Sequence, residues 1–289
     1  SFENVNYHHN TLYYFISSAV IFTATDTTLM QAKNIDEVLV RLEKIISDSI
    51  ANKDRAGYFA ALYHKVTYSV KQGILNNEFE DGPRMERLDV IFANRYLQAY
   101  DQWKAGQKPT WSWEVAFENT KKRRPLVLQH LLLGMNAHIN LDLGIAAVET
   151  CKGQSLQPLK RDFNNINVVI SALTYQVVND INRVSPLLSL LGLHAGNYNS
   201  ILIQFSIGNA RDGAWCFAQE LSEQASDRDI EKCIVERDAN ISQLAQSLVH
   251  ANPLLRFTLW VVHMFEWRRA DKIIKTLKEY EKVYIKLKK

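Results

Sequence analysis

The residues best suited to bind a metal ion or transfer a proton are a histidine and an aspartate four positions apart on one apolar segment. On an α-helix His138 and Asp142 lie one turn apart, about 6 Å along the axis, so both could reach the same metal ion or proton. This spacing favours either a catalytic base with its orienting carboxylate or two ligands of a divalent ion such as zinc. The alternative is that Asp142 orients His138 inside a hydrogen-bonded core network without chemistry.

Three further polar side chains share this apolar segment. Asn136 and Asn140 form a second pair four positions apart, and His130 lies two turns before His138. Those two turns are about 12 Å along the helix axis, too far for one metal ion to bind both histidines. A buried polar group without a partner costs about 1 to 3 kcal/mol, so neighbouring helices, water, an ion or a ligand must satisfy these groups. We expect all three to contact a substrate.

Partners for these groups are expected from two preceding helices. Asp89 lies among the apolar positions of RMERLDVIFANRY, and we expect it to point inward and join the catalytic pair. From the same helix Arg84 or Arg95 could hold an anionic substrate, although pairing with surface carboxylates is the ordinary role of an arginine. His64, on the helix before, could act as a third metal ligand.

The segment that carries the polar groups is also the most apolar in the chain. From Pro125 to Cys151 it is hydrophobic on every side, which predicts a helix surrounded by other helices. Long helical periodicities, few prolines and almost no strand signals predict an all-α, bundle-like domain of about eight to ten helices around it. We expect residues 34–289 to form this single domain and residues 1–33 to form an N-terminal arm or helix.

Charge and cysteine content narrow the possible partners and compartment. The 34 basic and 31 acidic residues leave a net charge of +3, which makes nucleic acid an unfavoured partner. Three widely spaced cysteines indicate no disulfide framework, so a reducing, cytoplasmic location is expected. The apolar run Leu12 to Ala24 is shorter than the roughly 20 residues of a transmembrane helix. It is interpreted as a packed helix or a remnant export signal, and no transmembrane segment is predicted.

The C-terminal segment, from Pro253 to near the end of the chain, predicts a helix whose last part is amphipathic with a basic outer face. Apolar residues recur there at spacings of four and three, with lysines between them: Ile273, Leu277, Tyr280, Tyr284 and Leu287. Such a face is usually only solvated, but it could also contact a membrane surface or an acidic partner. The sequence carries no signal for an oligomeric state.

Several well-marked enzyme classes leave no trace in the sequence. It has no GxSxG nucleophile elbow, Walker loop, GxGxxG turn or HExxH pair, which argues against the best-marked hydrolases, nucleotide-binding proteins and metalloproteases. The paired ExxH motifs of carboxylate-bridged di-iron bundles are missing too. Any function must therefore be inferred from the polar groups of the central segment.

Four segments together resemble an uncharacterised bacterial family known only as a domain of unknown function. They are LYHKVT, FEDGPRMERLDVIFANRYL, LQHLLLGMNAHINLDLGIAA and NARDGAW, within a likeness that runs from Ile35 to about Leu248. The most specific part is GMNAHINLDL. The resemblance implies no activity, but it implies a shared residue pattern of Arg84, Asp89, Arg95, His130, Asn136, His138, Asn140, Asp142, Asp162, Arg211 and Trp215.

A second likeness is to helical zinc-dependent phospholipases and nucleases, which also carry an HxxxD pair on a helix. Here that pair is His138 and Asp142, whereas the further histidines, the GD step and the second ligand helix of that class are missing. The likeness therefore suggests a reaction class, hydrolysis, and puts a trinuclear zinc site in doubt.

These observations leave three functions open. The first is a metal-assisted or His/Asp-dependent hydrolase acting on a small anionic or amphipathic substrate. The second is a non-catalytic helical binding protein with a pocket for a small apolar or amphipathic ligand near the central segment. In the third, the polar groups only stabilise the core and the protein works through its surface.

Overall fold

The computed structural model describes residues 31–152, 154–190, 207–250 and 253–279, and within these ranges it consists of helices joined by turns. This confirms the all-α prediction. The described part contains eleven α-helices: α1 (Ile35–Asn52), α2 (Gly57–Leu75), α3 (Gly82–Lys104), α4 (Trp111–Thr120), α5 (Val127–Ala137), α6 (Leu143–Thr150), α7 (Gln157–Val184), α8 (Ile207–Ser222), α9 (Asp227–Val249), α10 (Pro253–Phe265) and α11 (Ala270–Lys278).

The first residues of two helices follow local sequence signals. Asn34 precedes α1, and its side chain accepts the backbone N–H of Glu37 at 2.9 Å, while the Glu37 carboxylate accepts the N–H of Lys33. Asp81 caps α3 in a similar way by accepting the N–H of Arg84. These caps satisfy N–H groups that have no partner within the helix and so fix where each helix begins.

The central helix is confirmed, and it consists of α5 and α6 joined end to end. It runs from Val127 to Thr150, within two residues of either end of the predicted segment. Helices α2, α3, α4, α8 and α9 pack around it. This arrangement explains why the segment is apolar on every side, since each side faces another helix rather than water.

A π-helical turn, His138–Asp142, interrupts the central helix at its polar residues. The sequence pattern predicts a regular helix here, but the structure differs. A π turn accommodates one extra residue and disturbs the regular backbone hydrogen bonds, and such turns are frequent at functional sites. Arg237 of α9 compensates in part, because its Nε donates to the carbonyl of Asn140 at 2.9 Å.

Two glycines let neighbouring helices approach the central helix closely. A Cβ atom at Gly134 would lie 2.5 Å from the ring of Phe59 on α2. At Gly144 it would lie 2.5 Å from the ring of Phe217 and 3.0 Å from the carbonyl oxygen of Ala214, both on α8. Because real Cβ contacts are not this short, a side chain at either position would push the helices apart.

The sequence pattern predicts one C-terminal helix, but the structure has two, α10 and α11, with a break between them. In the break the Glu266 carboxylate accepts the N–H of Val127, and the N–H of Trp267 donates to the carbonyl of Val184. These bonds tie the chain to the start of α5 and the end of α7. Hydrogen bonds to other helices therefore replace those that would continue α10.

Helix α11 has the predicted amphipathic pattern, with its apolar residues buried and Lys272 and Lys275 exposed. The buried residues are Ile273, Ile274 and Leu277. The remaining residues of the predicted pattern, Tyr280, Tyr284 and Leu287, lie outside the described residues.

The predicted N-terminal arm, with its apolar run Leu12 to Ala24, lies almost entirely outside the described residues. The part that is described leads into α1 along α3, where Asn94 exchanges two hydrogen bonds with the backbone of Ala32. The division of the chain into an arm, residues 1–33, and one domain, residues 34–289, stays a prediction.

One helix of the described part, Val127–Thr150, is long and apolar enough to cross a membrane by length and composition. Most of its apolar window is buried against other helices. A core helix passes the same test of length and composition, so this is weak evidence for a membrane span.

The contact between α6 and α8 predicts the effect of a single added methyl group. Gly144→Ala should lower the free energy of unfolding by about 1 to 3 kcal/mol, because the Cβ meets both a side chain and a backbone oxygen. Urea denaturation followed by circular dichroism measures this. The matched control is Gly208→Ala in α8, where no described residue comes within 4 Å of the added Cβ and the expected change is neutral or stabilising by up to about 1 kcal/mol. Equal effects of the two substitutions would contradict the packing account.

Candidate functional site

The predicted pair of His138 and Asp142 is buried and forms part of a network between helices. The His138 Nδ1 lies 3.4 Å from the Asp142 Oδ2, and the two side chains are 3% and 2% exposed. Asp142 also accepts the indole N–H of Trp113 on α4 at 2.8 Å and the Nε–H of Arg95 on α3 at 2.9 Å. The carboxylate therefore joins the central helix to α3 and α4.

The charges in this network follow from burial and from the partners of the carboxylate. Burial alone would raise the pKa of Asp142, but Arg95, His138 and Trp113 together hold it below its ordinary value. Burial lowers the pKa of His138 despite the neighbouring carboxylate. Asp142 is thus ionised and His138 neutral at pH 7. A neutral His138 donates its Nδ1 proton to Asp142, which leaves Nε2 as an acceptor that has no partner among the described residues.

Aromatic rings surround the imidazole of His138. Phe92 stacks on it with ring centroids 3.5 Å apart and planes 6° from parallel, and the Tyr63 ring meets it edge-on at 4.4 Å. Three more rings lie with their centroids about 6 Å away: Phe59, Tyr96 and Trp113. Neither of the two cavities described below is lined by His138 or Asp142. The geometry therefore fits a packed core network better than a site open to substrate.

The predicted asparagine pair links the central helix to α9. Asn140 donates its side-chain N–H to the Oδ1 of Asn136 at 3.0 Å, and Asn136 donates to the carbonyl of Ile241 at 2.9 Å. Both side chains are buried, and neither lines a described cavity. Protein groups therefore satisfy the Asn136 side chain and the Asn140 N–H, and contact of this pair with a substrate stays a prediction.

Asp89 is buried beside this network with an unusual charge state. It is 6% exposed, its Oδ2 has no hydrogen-bond partner among the described residues, and burial, with a smaller contribution from Glu86, raises its pKa to about 8. The negative charges of Asp89 and Asp142 both contribute to raising the pKa of Tyr63, which places its phenol near both carboxyl groups. At pH 7 Asp89 is therefore mostly a neutral carboxylic acid within the core.

The structure does not bring His64 into a metal site with the pair. Its Nε2 lies 4.0 Å from the Oε2 of Glu43 on α1. Across the described ranges no three His, Cys, Asp or Glu side chains are grouped as a metal ion would require. The predicted ligand set of His138, Asp142 and His64 is thus not assembled.

Arg84 holds the start of α3 against α7. Its Nη2 donates to the Asp162 Oδ2 at 3.0 Å, and the same carboxylate accepts the backbone N–H groups of Glu80 and Asp81. Asp162 is fully buried, whereas Arg84 lines a cavity of about 670 Å³ at this corner. The arginine is therefore paired with a carboxylate of the protein, and its role in holding an anionic substrate stays a prediction.

Two other residues of the shared pattern, Arg211 and Trp215, pack beside this corner on α8. The guanidinium of Arg211 lies over the ring of Phe163 at 4.4 Å, and the Trp215 ring contacts the same phenylalanine at 5.0 Å. Burial lowers the pKa of Arg211 to about 10. These contacts join α7 to α8 and give both residues a structural role.

His130 lies in a different place from the other predicted residues, on a cavity of about 770 Å³ that three loops enclose. The α1–α2, α4–α5 and α10–α11 loops supply five cationic side chains to its lining: Lys53, Arg55, Arg123, Arg268 and Arg269. We call this cavity the cationic cleft. The first residue of α5, the first of α11 and the second of α2 also line it, so the positive ends of three helices meet there: Val127, Ala270 and Tyr58.

Little negative charge opposes these cations. Arg269 pairs with Asp271, and Arg55 donates to the carbonyl of Thr120. The other three cations carry no ion pair with any described residue: Lys53, Arg123 and Arg268. Glu266 is the one carboxyl group in the lining. It is 7% exposed and burial raises its pKa to about 7, although Ser185 and the N–H of Val127 both donate to it.

The imidazole of His130 has unused hydrogen-bonding capacity in the wall of the cationic cleft. It is 5% exposed, and neither ring nitrogen makes a hydrogen bond of normal geometry with a described residue. Burial and the charge of Arg55 lower its pKa to about 3, which the nearby backbone of Pro125 only partly offsets. The ring of Tyr58 meets it edge-on at 5.6 Å. A neutral imidazole in this position can both donate and accept a hydrogen bond.

Sequence reasoning selected His130 but missed the rest of the cationic cleft. The basic run Lys121–Arg124 was visible as a charge cluster, and the Arg268–Arg269 pair follows a tryptophan. Nothing in the spacing of these segments shows that they meet, because loops have no periodicity that could be matched. A sequence signal for a turn after α10 would have indicated that Arg268 and Arg269 lie in a loop.

The buried network predicts a large effect of removing one charge. Asp142→Asn should lower the free energy of unfolding by about 3 kcal/mol, because Asp142 is 2% exposed and Arg95, 23% exposed, then keeps only its longer contact with Glu149 at 3.9 Å. Urea denaturation measures this. The matched control is Asp48→Asn, whose exposed pair with Lys44 should contribute less than about 0.5 kcal/mol. A loss below about 1 kcal/mol for Asp142→Asn would refute the network's role.

The raised pKa of Asp89 predicts that the stability of the protein depends on pH. Its pKa is raised from 3.8 to about 8 in the folded protein, so the stability it contributes is complete below about pH 4 and is lost as the pH rises through 8. In Asp89→Asn this loss is absent, so the free energy of unfolding of the variant should rise relative to wild type by up to about 1.4 kcal/mol per pH unit in that window. Urea denaturation at a series of pH values measures the difference. Parallel pH profiles of the two proteins would contradict the assignment.

Comparison with known proteins is consistent with the resemblance noted in the sequence. The model of a family described as "Family of unknown function (DUF5995)" matches residues 35–251. Comparisons with curated proteins and with solved structures give no match. The match covers most of the described helices, including the central helix and α9. The chain belongs to the family of unknown function DUF5995.

Proposed function

We propose that this protein is a binding protein for a small anionic ligand, which it holds in the cationic cleft. The observation that carries the proposal is the meeting of five cationic side chains from three loops around one cavity with a single carboxyl group. Like charges so arranged repel one another, and a bound anion would relieve that repulsion. A cavity of about 770 Å³ has the size of a small-molecule site.

The chemistry of the cationic cleft favours a phosphate or carboxylate group over a neutral ligand. Arg123 and Arg268 each present a planar guanidinium that can bind two oxygens at once. The positive ends of α5 and α11 add to the same potential. His130 supplies one further polar contact, and the Tyr58 ring beside it gives the ligand an apolar surface.

Hydrolysis at His138 and Asp142 is a second candidate function, and one observation favours it. The Nε2 of a neutral His138 has no partner among the described residues, while its Nδ1 faces an ionised carboxylate. This is the arrangement of a base with its orienting group. It would require that Phe92 and Tyr63 move to admit a substrate, because both rings contact the imidazole.

Isothermal titration with inorganic pyrophosphate and with inorganic phosphate tests the first proposal. Arg123→Gln/Arg268→Gln should weaken pyrophosphate binding by about tenfold or more, because it removes two cations that lack an ion pair. Wild-type affinity should also fall as salt is raised. The matched control is Arg228→Gln in α9, an exposed arginine outside the cleft, which should bind as wild type does.

Two results would contradict this proposal. One is equal pyrophosphate affinity of the double variant and the Arg228→Gln control. The other is hydrolysis of p-nitrophenyl phosphate or p-nitrophenyl acetate that His138→Gln abolishes and that the double variant retains in full. The second result would instead support hydrolysis at His138 and Asp142 of the central helix.

A further inference from the structure

The outer surface of α10 is unusually apolar for a helix that faces water. Phe257, Trp260 and Met264 recur at spacings of three and four and are 62%, 55% and 41% exposed. Phe265 and Trp267 extend this surface at the end of the helix, at 57% and 40%. Half of the ten exposed large apolar side chains in the described part of the chain thus fall within eleven consecutive residues. We call these five side chains the aromatic face.

The fold does not explain the aromatic face, because α10 already packs through its opposite side. Leu255, Thr258 and Val262 are buried there, and Leu255 and Val262 form a small core cluster with Leu126 at the start of α5. A surface helix that packs on one side normally carries polar residues on the other. An exposed apolar patch of this kind marks a contact with something outside the domain.

Positive charge borders the aromatic face. Arg256 lies on α10 itself and Arg268 and Arg269 directly follow Trp267, and all three are exposed. The one acidic residue between 253 and 269 is Glu266, which is buried with its pKa raised to about 7. Trp267 and Arg268 also line the cationic cleft, so the two surfaces adjoin. The occupant of the aromatic face must therefore offer an apolar surface next to negatively charged groups.

We propose that the aromatic face docks this protein onto the surface of an anionic lipid bilayer, with α10 lying in the membrane interface. Such a surface offers an apolar layer for Trp, Phe and Met side chains beneath a layer of negative headgroups for the flanking arginines. Tryptophan is especially suited to this boundary, because its ring is apolar and its N–H is polar.

A second copy of the chain fits the same surface less well. Two copies that paired symmetrically through the aromatic face would bring Arg256 and Arg268 of each close to those of the other, without a free carboxylate on this stretch to pair with them. The face is also one convex helix surface rather than a groove, which suits a flat and deformable partner.

Docking on a bilayer rests on the aromatic face and its flanking arginines, whereas one extension rests on the proposed function. If the cationic cleft binds anions, a protein docked through α10 holds that cleft beside the headgroup layer. The anionic group that it binds could then belong to a lipid or to a soluble molecule. Pyrophosphate binding in the absence of lipid tests the cleft, and vesicle binding tests the aromatic face.

Vesicle cosedimentation tests the docking. The full chain is mixed with vesicles of phosphatidylcholine alone or with added phosphatidylglycerol, and bound protein is measured in the pellet. We expect binding to the anionic vesicles to be about tenfold stronger or more, and to fall by about tenfold or more in Phe257→Ser/Trp260→Ser. The matched control, Trp111→Ser, changes a tryptophan on α4 that is 51% exposed and should bind as wild type does.

Other measurements separate the possible occupants. Met264→Glu, which places a negative charge in the middle of the aromatic face, should also weaken binding, and Arg256→Gln should reduce the preference for anionic vesicles. Circular dichroism confirms that each variant is folded. Equal vesicle binding by wild type and Phe257→Ser/Trp260→Ser would overturn the proposal, as would no binding by either. A wild-type dimer in sedimentation equilibrium that the double variant dissociates, without vesicle binding, would assign the face to a second copy.

If the double variant loses vesicle binding but keeps its affinity for pyrophosphate, both proposals stand. If the wild type binds vesicles but not pyrophosphate, the docking stands and the proposed function fails. If it binds pyrophosphate but not vesicles, the docking fails alone.

Discussion

The structure depends on one ionised carboxylate in the most apolar helix of the protein. An uncompensated charge at that depth would be far less stable than the same charge in water, so the surrounding helices must supply cations and N–H groups to Asp142. Arg95 of α3 and Trp113 of α4 do so from two directions, and His138 faces the same group from within the central helix. The positions of α3 and α4 around the central helix are thereby fixed by hydrogen-bond geometry, which apolar packing alone would leave less strictly defined.

The same constraint accounts for the irregular backbone at this point. In a regular helix the polar side chains would lie on two different sides of the axis. The π turn changes the rotation between the two halves of the central helix, and in this arrangement Asp142 reaches Arg95 while the Asn136 side chain reaches α9. Arg237 donates a hydrogen bond to the carbonyl of Asn140 in this turn. Local backbone irregularity and long-range polar contacts are two parts of one arrangement.

Much of the fold could be predicted from the sequence, because helical periodicity and helix caps are local signals. The central helix and the burial of its polar groups follow from the apolar run Pro125 to Cys151. The π turn could not be predicted, since the residues that contact it are 29 to 97 positions away in sequence: Trp113, Arg95 and Arg237. The break after Phe265 was missed because the helical pattern continues through it, whereas hydrogen bonds to α5 and α7 end the helix. The cationic cleft was missed because three loops, remote from one another in sequence, build it.

Glu266 gives the cationic cleft a group that titrates near neutral pH, which its arginines alone would not provide. Its carboxyl group bridges the start of α5 and the end of α7, and its pKa of about 7 means that it is close to half-protonated in neutral solution. An anion held nearby would make the ionised form less favourable, so that loading the cavity would draw a proton from the solvent. Occupancy would consequently be coupled to acidity, with tighter retention on the acid side of neutrality and release on the alkaline side. If the cationic cleft holds an anion, this one carboxyl group would therefore make its occupancy depend on pH near neutrality.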